Sequence, residues 1–258
     1  MSSTVLFDDG NHKNILLEDF GTGTAVQANQ HLIIHDDEGM ILDPGGHKIF
    51  NKVAATITDW LGGGKLRYIF LSHQDPDIVA AINAWLMTTE ADAYVSVLWE
   101  RFIPHFGVDK FVVNRLKPIP DEGMILEMNG VSLSLIPAHF LHSCGNFQVY
   151  DPVSKILYSG DLGASFGMDY IDVPDFYAHI QYIAGFHKRY IVSNEIMRAW
   201  AAMIRPLDIE IIAPQHGALI KGRKMVTQFI DWCENLECGF NLMKGLYKLP
   251  EKSKNPIS

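Results

Sequence analysis

The stretch IFLSHQDPDIVAAINAW, residues 69–85, places a charged cluster between a strand and a helix. Ile69, Phe70 and Leu71 form a short apolar run of the buried-strand kind, and Ile78, Ile82 and Trp85 recur beyond it at helical spacing. The turn between them carries His73, Asp75 and Asp77 at alternate positions. In a compact turn at a strand end, that alternation aims all three side chains to one side of the backbone. Such convergence suits a cation.

On either side the chain repeats this grammar. HLIIH (31–35), MILDPGG (40–46), RYIFLSH (67–73), FVVNRL (111–116), MILEMNG (124–130) and VSLSLIPAH (131–139) are apolar runs bounded by turn residues and read as strands. KIFNKVAATITDWLGGG (48–64) puts Ile49, Val53, Ile57 and Trp60 on one face, with glycines past its end, and DIVAAINAWLMTTE (77–90) reads as a second helix. FQVYD (147–151) and KILYSGD (155–161) are further strands before a helix-rich stretch over 174–206; a strand in IEIIAPQHG (209–217) then leads to a last helix over 223–236. Strand and helix alternate in both halves, so two sheets packed face to face with helices outside are expected. Residues 1–248 are expected to form one domain and 249–258, polar and proline-containing, a flexible tail.

With 258 residues and 48% hydrophobic content, the chain can fill a substantial core. Its formal net charge of −9 and the lack of any long Lys/Arg run argue against a nucleic-acid partner. The first residues are polar and no stretch reaches the apolar length of a membrane span, so no membrane association and a cytoplasmic location are expected. The three cysteines, Cys144, Cys233 and Cys238, fit a reducing compartment better than a disulfide framework, and Cys233 and Cys238 are placed in the C-terminal helix.

Three more places repeat the pattern of a strand running out into a metal-competent residue: LIPAHFLHSCGN (135–146), ILYSGDLG (156–163) and IIAPQHG (211–217). They contribute His142, with His139 competing for the same role, together with Asp161 and His216. Added to the opening cluster, these make three imidazoles and three carboxylates. A structural zinc closes with four ligands, usually thiolates and imidazoles, and no CxxC pair exists here. Six mixed nitrogen and oxygen donors instead suit two neighbouring metals sharing a bridging carboxylate, and the carboxylate share favours iron or manganese over zinc. Each residue taken singly has a plainer reading: Asp77 can cap the helix that follows it. His12, His31, His35, His47, His105, His179 and His187 lack comparable neighbours and read as structural or exposed. Gly160, Gly163 and Gly217 flank the proposed ligands, as tight turns near a metal require.

SHQDPD, HSCGN, SGDLG and PQHG, in this order and preceded by ILDPGG, resemble the metallo-β-lactamase superfamily over about residues 32–217. Within it the resemblance is closest to the diiron branch, the flavodiiron and oxygen-binding diiron proteins. The resemblance implies an α/β fold, the metallo-β-lactamase αββα sandwich of two mixed sheets with helices outside and metals at one edge. Carried over by motif, His73, Asp75 and His142 would hold one iron and Asp77 and His216 the other, with Asp161 bridging; His142, not His139, stands at the motif's histidine. The second histidine of the first motif is Ile78 here, so the second iron should have one imidazole fewer and an open or water-filled position.

That resemblance implies a cofactor of two non-haem irons. The chain ends too soon after Gly217 for a fused flavodoxin domain binding FMN, so dioxygen binding or sensing is expected over rapid reduction. A reductase of O2, NO or peroxide served by a separate electron donor is the alternative, and would make the protein an oxidoreductase. A zinc-dependent hydrolase is the third reading, weakened by the missing imidazoles. A signalling partner and a homodimer are further implications of the resemblance. His139, Tyr158 and Cys144 are candidate neighbours of the metals, with a structural role the equal alternative for His139, core packing favoured for Tyr158 and Cys144 read as a small buried filler, and Asp43 braces a loop.

Overall fold

The computed structural model describes residues 3–18 and 27–250; of the expected tail, 251–258 lie outside them. One sheet takes β1 (Ser3–Asp8), β2 (His12–Leu17), β3 (Gln30–His35), β4 (Glu38–Leu42), β5 (Lys65–Phe70), β6 (Asp92–Ser96) and β7 (Leu116–Ile119) in sequence order. The other takes β8 (Met124–Met128), β9 (Val131–Pro137), β10 (Phe147–Asp151), β11 (Ile156–Gly160), β12 (Ile211–Pro214) and β13 (Ile220–Lys221), ordered β13-β12-β11-β10-β9-β8. Both sheets are mixed. β4, β5, β6 and β7 run parallel to one another, and β11 runs parallel to β12, while the remaining pairs are antiparallel.

Three apolar layers follow from this arrangement. Leu16, Ile33, Met40, Leu42 and Phe70 of the first sheet meet Leu133, Leu135, Phe147, Val149 and Ile156 of the second. Outside the first sheet, Ile15, Leu32, Ile41 and Ile69 pack on α1 (Phe50–Leu61), α2 (Pro76–Val79) and α3 (Ile82–Thr88). Outside the second, Tyr150, Leu157 and Ile212 pack on α4 (Phe176–Tyr190), α5 (Asn194–Ile204) and α6 (Arg223–Asn235); a short α7 (Phe240–Met243) follows. This is the expected αββα order. β10 and β11 are buried at every position, the polar side chains of Gln148, Asp151 and Ser159 included.

The parallel strands decide where a site can form. A parallel pair needs a crossover, here α1, α2 with α3, and α4 with α5, and the crossovers leave a crevice at the carboxyl ends of the strands. Asp43, Ser72, Asp161 and Gln215 are the first or second residues past β4, β5, β11 and β12.

Some elements depart from expectation. The single helix expected over 77–90 is two, because Ala81 at φ −92°, ψ 7° interrupts it; Ile78, Ile82 and Trp85 are nevertheless all buried. FVVNRL is a turn with a 3-10 helix at Val113–Arg115, and its strand starts at Leu116. Local bonds from the N–H groups of Val112 and Val113 to the Asp109 carbonyl win there, and Phe111 is left 75% exposed. Cys233 lies in α6, but Cys238 is buried beyond its end.

Between the sheets lies a buried polar network. Asn14 on β2 donates through Nδ2 to Asp151 Oδ2 (2.7 Å) and to the Tyr158 hydroxyl (2.8 Å), and Ser154 Oγ donates to the same carboxylate at 2.8 Å. Tyr158 also packs on the His31 ring at 5.0 Å. It therefore serves the join between the sheets and not the candidate metal cluster, the core-packing role favoured for it over a place beside the metals.

Candidate metal centre

The six expected donors converge. Past β5, Asp75 occupies the N-cap position of α2, yet its carboxylate makes no capping bond. Its Oδ2 instead lies 3.5 Å from His73 Nε2 and 3.2 Å from His142 Nε2. Asp161 Oδ2 lies 3.9 Å and 3.4 Å from the same two nitrogens. Donor atoms of His73, His142 and Asp161 all fall within 4.8 Å of one another. On the other side, His216 Nε2 is 3.4 Å from Asp77 Oδ2 and 3.5 Å from Asp161 Oδ1. Asp161 thus turns one oxygen toward each group. Asp77 sits inside the first turn of α2, which starts at Pro76, so it does not cap that helix.

Backbone geometry produces this arrangement. His142 takes a left-handed φ of 85°, as does Phe140 at 65°, in a turn closed by Phe140 N–H to the Ser143 carbonyl (2.7 Å) and Asn146 Nδ2 to the Leu141 carbonyl (2.9 Å). Such conformations are costly for residues other than glycine and persist where the surroundings over-determine them. Gly217 follows His216 at φ 83°, and a Cβ there would run into the Ser165 side chain and backbone.

Neighbouring groups orient the imidazoles and carboxylates. His216 Nδ1 donates to the Gln27 carbonyl (2.5 Å), which orients the ring so that Nε2 faces the two carboxylates. His73 Nδ1 is 2.9 Å from Ser72 Oγ, and the Ser72 N–H donates to Asp43 Oδ1 at 2.8 Å, so Asp43 braces this loop as expected. Gln74 Nε2 holds Asp75 Oδ1 at 3.0 Å, leaving Oδ2 for the histidines. Gln215 Nε2 holds Asp77 Oδ2 at 3.3 Å. His187, wholly buried on α4, donates through Nδ1 to the Ile183 carbonyl (2.7 Å) and accepts the Gly163 N–H on Nε2 (2.9 Å), pinning the turn after Asp161.

Burial opposes a charge on His73, but hydrogen bonding to Asp75 and the fields of Asp161, Asp75 and Asp43 outweigh it and raise its pKa to about 9. Hydrogen bonds from His142 and His73 hold the Asp75 carboxyl well below the usual range. Burial lifts Asp43 to about 6.

The donor set fits a pair of cations. Asp161 Oδ1 is buried and without a hydrogen-bond partner, an arrangement that is costly unless a cation completes it. The nitrogen-to-oxygen separations of 3.2–3.9 Å are those of loose hydrogen bonds and ion pairs, longer than the roughly 2.7–2.9 Å of a tight charge-assisted one. They match donors spread around an ion. A pocket of about 700 Å³ opens on this cluster, walled by Phe166, Phe186, Arg189 and Tyr190. Phe186 and Tyr190, one turn apart on α4, stack at 4.7 Å, and both meet the His142 ring edge-on; Phe166 lies 5.8 Å from His216. Gln74 and Gln215 adjoin proposed ligands in sequence, but the aromatic wall carries no local signal: Phe186 and Tyr190 read as one face of a helix.

Two candidate neighbours fall elsewhere, besides Tyr158. His139 Nε2 donates to the Asp121 carbonyl (2.8 Å) and its ring packs on Phe147. Cys144 is exposed, not a buried filler.

The chain matches the family model described as ODP family beta lactamase over residues 26–217. A structure of the peroxy diiron species of the chemotaxis sensor ODP is 42% identical with a TM-score of 0.86, covering 96% of this chain and 100% of that one. The apo state of the chemotaxis sensor ODP from T. denticola gives 40% identity and a TM-score of 0.85, with 95% and 99% covered. A flavo di-iron protein variant from Thermotoga maritima shares the fold at 16% identity and a TM-score of 0.74, over 90% of this chain and 60% of that one. An uncharacterised protein of Methanocaldococcus jannaschii is 24% identical over 233 residues, 84% of this chain; the chain spans 55% of that curated relative's length.

Proposed function

The chain belongs to the ODP beta-lactamase family, and from that membership and the convergence of six donors we propose a non-haem diiron protein that binds and senses dioxygen. The observation that carries this reading is the divided carboxylate of Asp161, with Oδ2 toward His73 and His142 and Oδ1 toward His216. His73, Asp75 and His142 would hold one iron, Asp77 and His216 the other, and Asp161 would bridge them. Two ferrous ions bound there supply dioxygen with one electron each.

The rest falls to this chain's own side chains. Ile78, fully buried in the outer core, contributes no donor, so the Asp77–His216 side keeps room for a small ligand. Phe166, Phe186 and Tyr190 thin the water around the donors, which strengthens every electrostatic contact among them. Three carboxylates beside three imidazoles favour iron or manganese over zinc. The chemotaxis sensor ODP, similar over nearly the whole chain, supports the sensing role.

The proposal extends to a cytoplasmic homodimer whose domain covers residues 1–248, acting with a separate electron donor or signalling protein. The three free cysteines suit a reducing compartment. Among the described residues no helix is long and apolar enough to cross a membrane.

The test is an anaerobic reconstitution with ferrous iron followed by exposure to air. Two irons per chain by elemental analysis and a new visible charge-transfer band are expected. Full iron loading with an unchanged spectrum would overturn the reading.

A further inference from the structure

We propose that His12 and His35 form a second metal site, taking one zinc- or copper-class divalent cation between their Nδ1 atoms. The site is independent of the diiron reading and lies at the other end of the first sheet. His12 and His35 are direct partners across β2 and β3, and His35 in turn pairs with Glu38 at the start of β4. The diiron cluster lies past the far end of β4 and β5.

The ring nitrogens already committed to other partners decide what the pair can hold. His12 Nε2 lies 2.7 Å from Asp151 Oδ2, and both side chains are buried, so this nitrogen carries the proton and donates. His35 Nε2 faces a carboxylate as well, with Asp36 Oδ2 at 3.8 Å. The His12 pairing leaves a lone pair on its Nδ1, while the 3.8 Å contact, too long for a hydrogen bond, leaves His35 free to adopt either tautomer. The two Nδ1 atoms face each other at 3.3 Å, with ring centroids 5.4 Å apart. A proton on His35 Nδ1 makes that contact a hydrogen bond, and a cation taking the proton's place would use both lone pairs. Two imidazole nitrogens bound at about 2.0–2.1 Å on a tetrahedral metal stand roughly 3.3–3.4 Å apart, so the spacing fits without rearrangement.

A buried carboxylate behind a ligating imidazole is the usual support of a metal-binding histidine, and Asp151 is itself held by Asn14 and Ser154. His35 keeps 18% of its side chain exposed, which gives a cation a way in. The Asp9 carboxylate already accepts the His12 N–H at 2.7 Å and the Asp36 carboxylate the Asn129 amide, so water on the exposed side of His35 would complete the shell. Imidazole donors select zinc, copper and nickel over magnesium or calcium.

The test titrates Cu2+ into air-equilibrated, iron-loaded protein and reads electron paramagnetic resonance. One equivalent showing hyperfine coupling to two imidazole nitrogens is expected. His35→Ala and His35→Gln should abolish that two-nitrogen signal, and Asp151→Asn should weaken binding by about 10–100-fold. On the unmutated chain, Zn2+ should shift the imidazole nitrogen resonances of both His12 and His35, which keeps the test independent of any variant's folding. Wild-type and His35→Ala signals that coincide, or imidazole resonances unmoved by Zn2+, would mean that a shared proton holds the pair and would overturn the proposal.

Discussion

Asp161→Asn keeps the size of the side chain and removes the charge shared between the two groups of donors. Because its Oδ1 has no hydrogen-bond partner and its Oδ2 faces two histidines, nothing else balances the site in the same way. The expected result is a fall from two irons per chain to one or fewer with the far-ultraviolet spectrum intact, measured by elemental analysis and circular dichroism. Gly217→Ala acts through the backbone: at φ 83° the added Cβ meets Ser165, and the left-handed cost adds to the clash. A loss of about 2–5 kcal/mol in urea denaturation is expected, with weaker iron retention because His216 is displaced. The six donors were legible in the sequence because each sits where an apolar strand runs into a polar turn. The choice of His142 over His139 was not legible from spacing, since both follow β9; it needed the motif. The left-handed turn that swings His142 inward and leaves His139 against Asp121 is a backbone property that composition does not signal.

At the scale of the element, α4 ties the metal cluster to the outer layer. His187 accepts the Gly163 N–H two residues past Asp161, and one turn of the same helix carries Phe186 and Tyr190 over His142. His187→Phe leaves that buried N–H unpaired, and a cost of about 1–3 kcal/mol is expected in thermal or urea unfolding. Tyr190→Ala, at a residue more than half exposed, should leave stability nearly unchanged while admitting water. Its expected signature is a visible band, formed in air, that decays several-fold faster than in the wild type, read by stopped-flow absorbance. Helix positions were readable from periodicity, as α1 and α6 show, but continuity was not: the break at Ala81 leaves the apolar spacing intact. FVVNRL failed for the opposite reason, since four apolar or neutral residues in a row satisfy a strand pattern while Asp109 gathers their N–H groups into a turn. β1 and β2 each carry an apolar triplet, residues 5–7 and 15–17, but β1 is a partly exposed edge strand and β2 opens on buried His12 and Asn14, so neither run stands out.

For the molecule as a whole, pH dependence follows from histidines that folding buries in neutral form. Burial lowers His31 and His187 from 6.5 to about 4. The unfolded chain therefore takes up protons first as pH falls, and stability present above pH 6.5 is lost between about 6.5 and 4. Each group contributes on the order of 3 kcal/mol across that window. Urea midpoints measured from pH 7 to 4.5 should fall steadily, and His187→Phe should flatten the slope. A midpoint that holds constant down to pH 4.5 would rule this out. The αββα order was legible because strand and helix alternate in both halves; the polar seam of Asn14, Asp151 and Tyr158 was not, because its members are more than a hundred residues apart.

Half of the proposed ligands, His73, Asp75 and Asp77, follow β5 of one sheet, while His142, Asp161 and His216 follow β9, β11 and β12 of the other. Any ion they share is a rivet through both leaves of the sandwich, clamping them at one rim. Stripping the metal removes the clamp, and amide hydrogen exchange should quicken on both sheets near that rim while the opposite rim keeps its protection. Occupancy would then be felt as stiffness, a mechanical quantity that a neighbouring protein resting on either leaf can read without touching the iron.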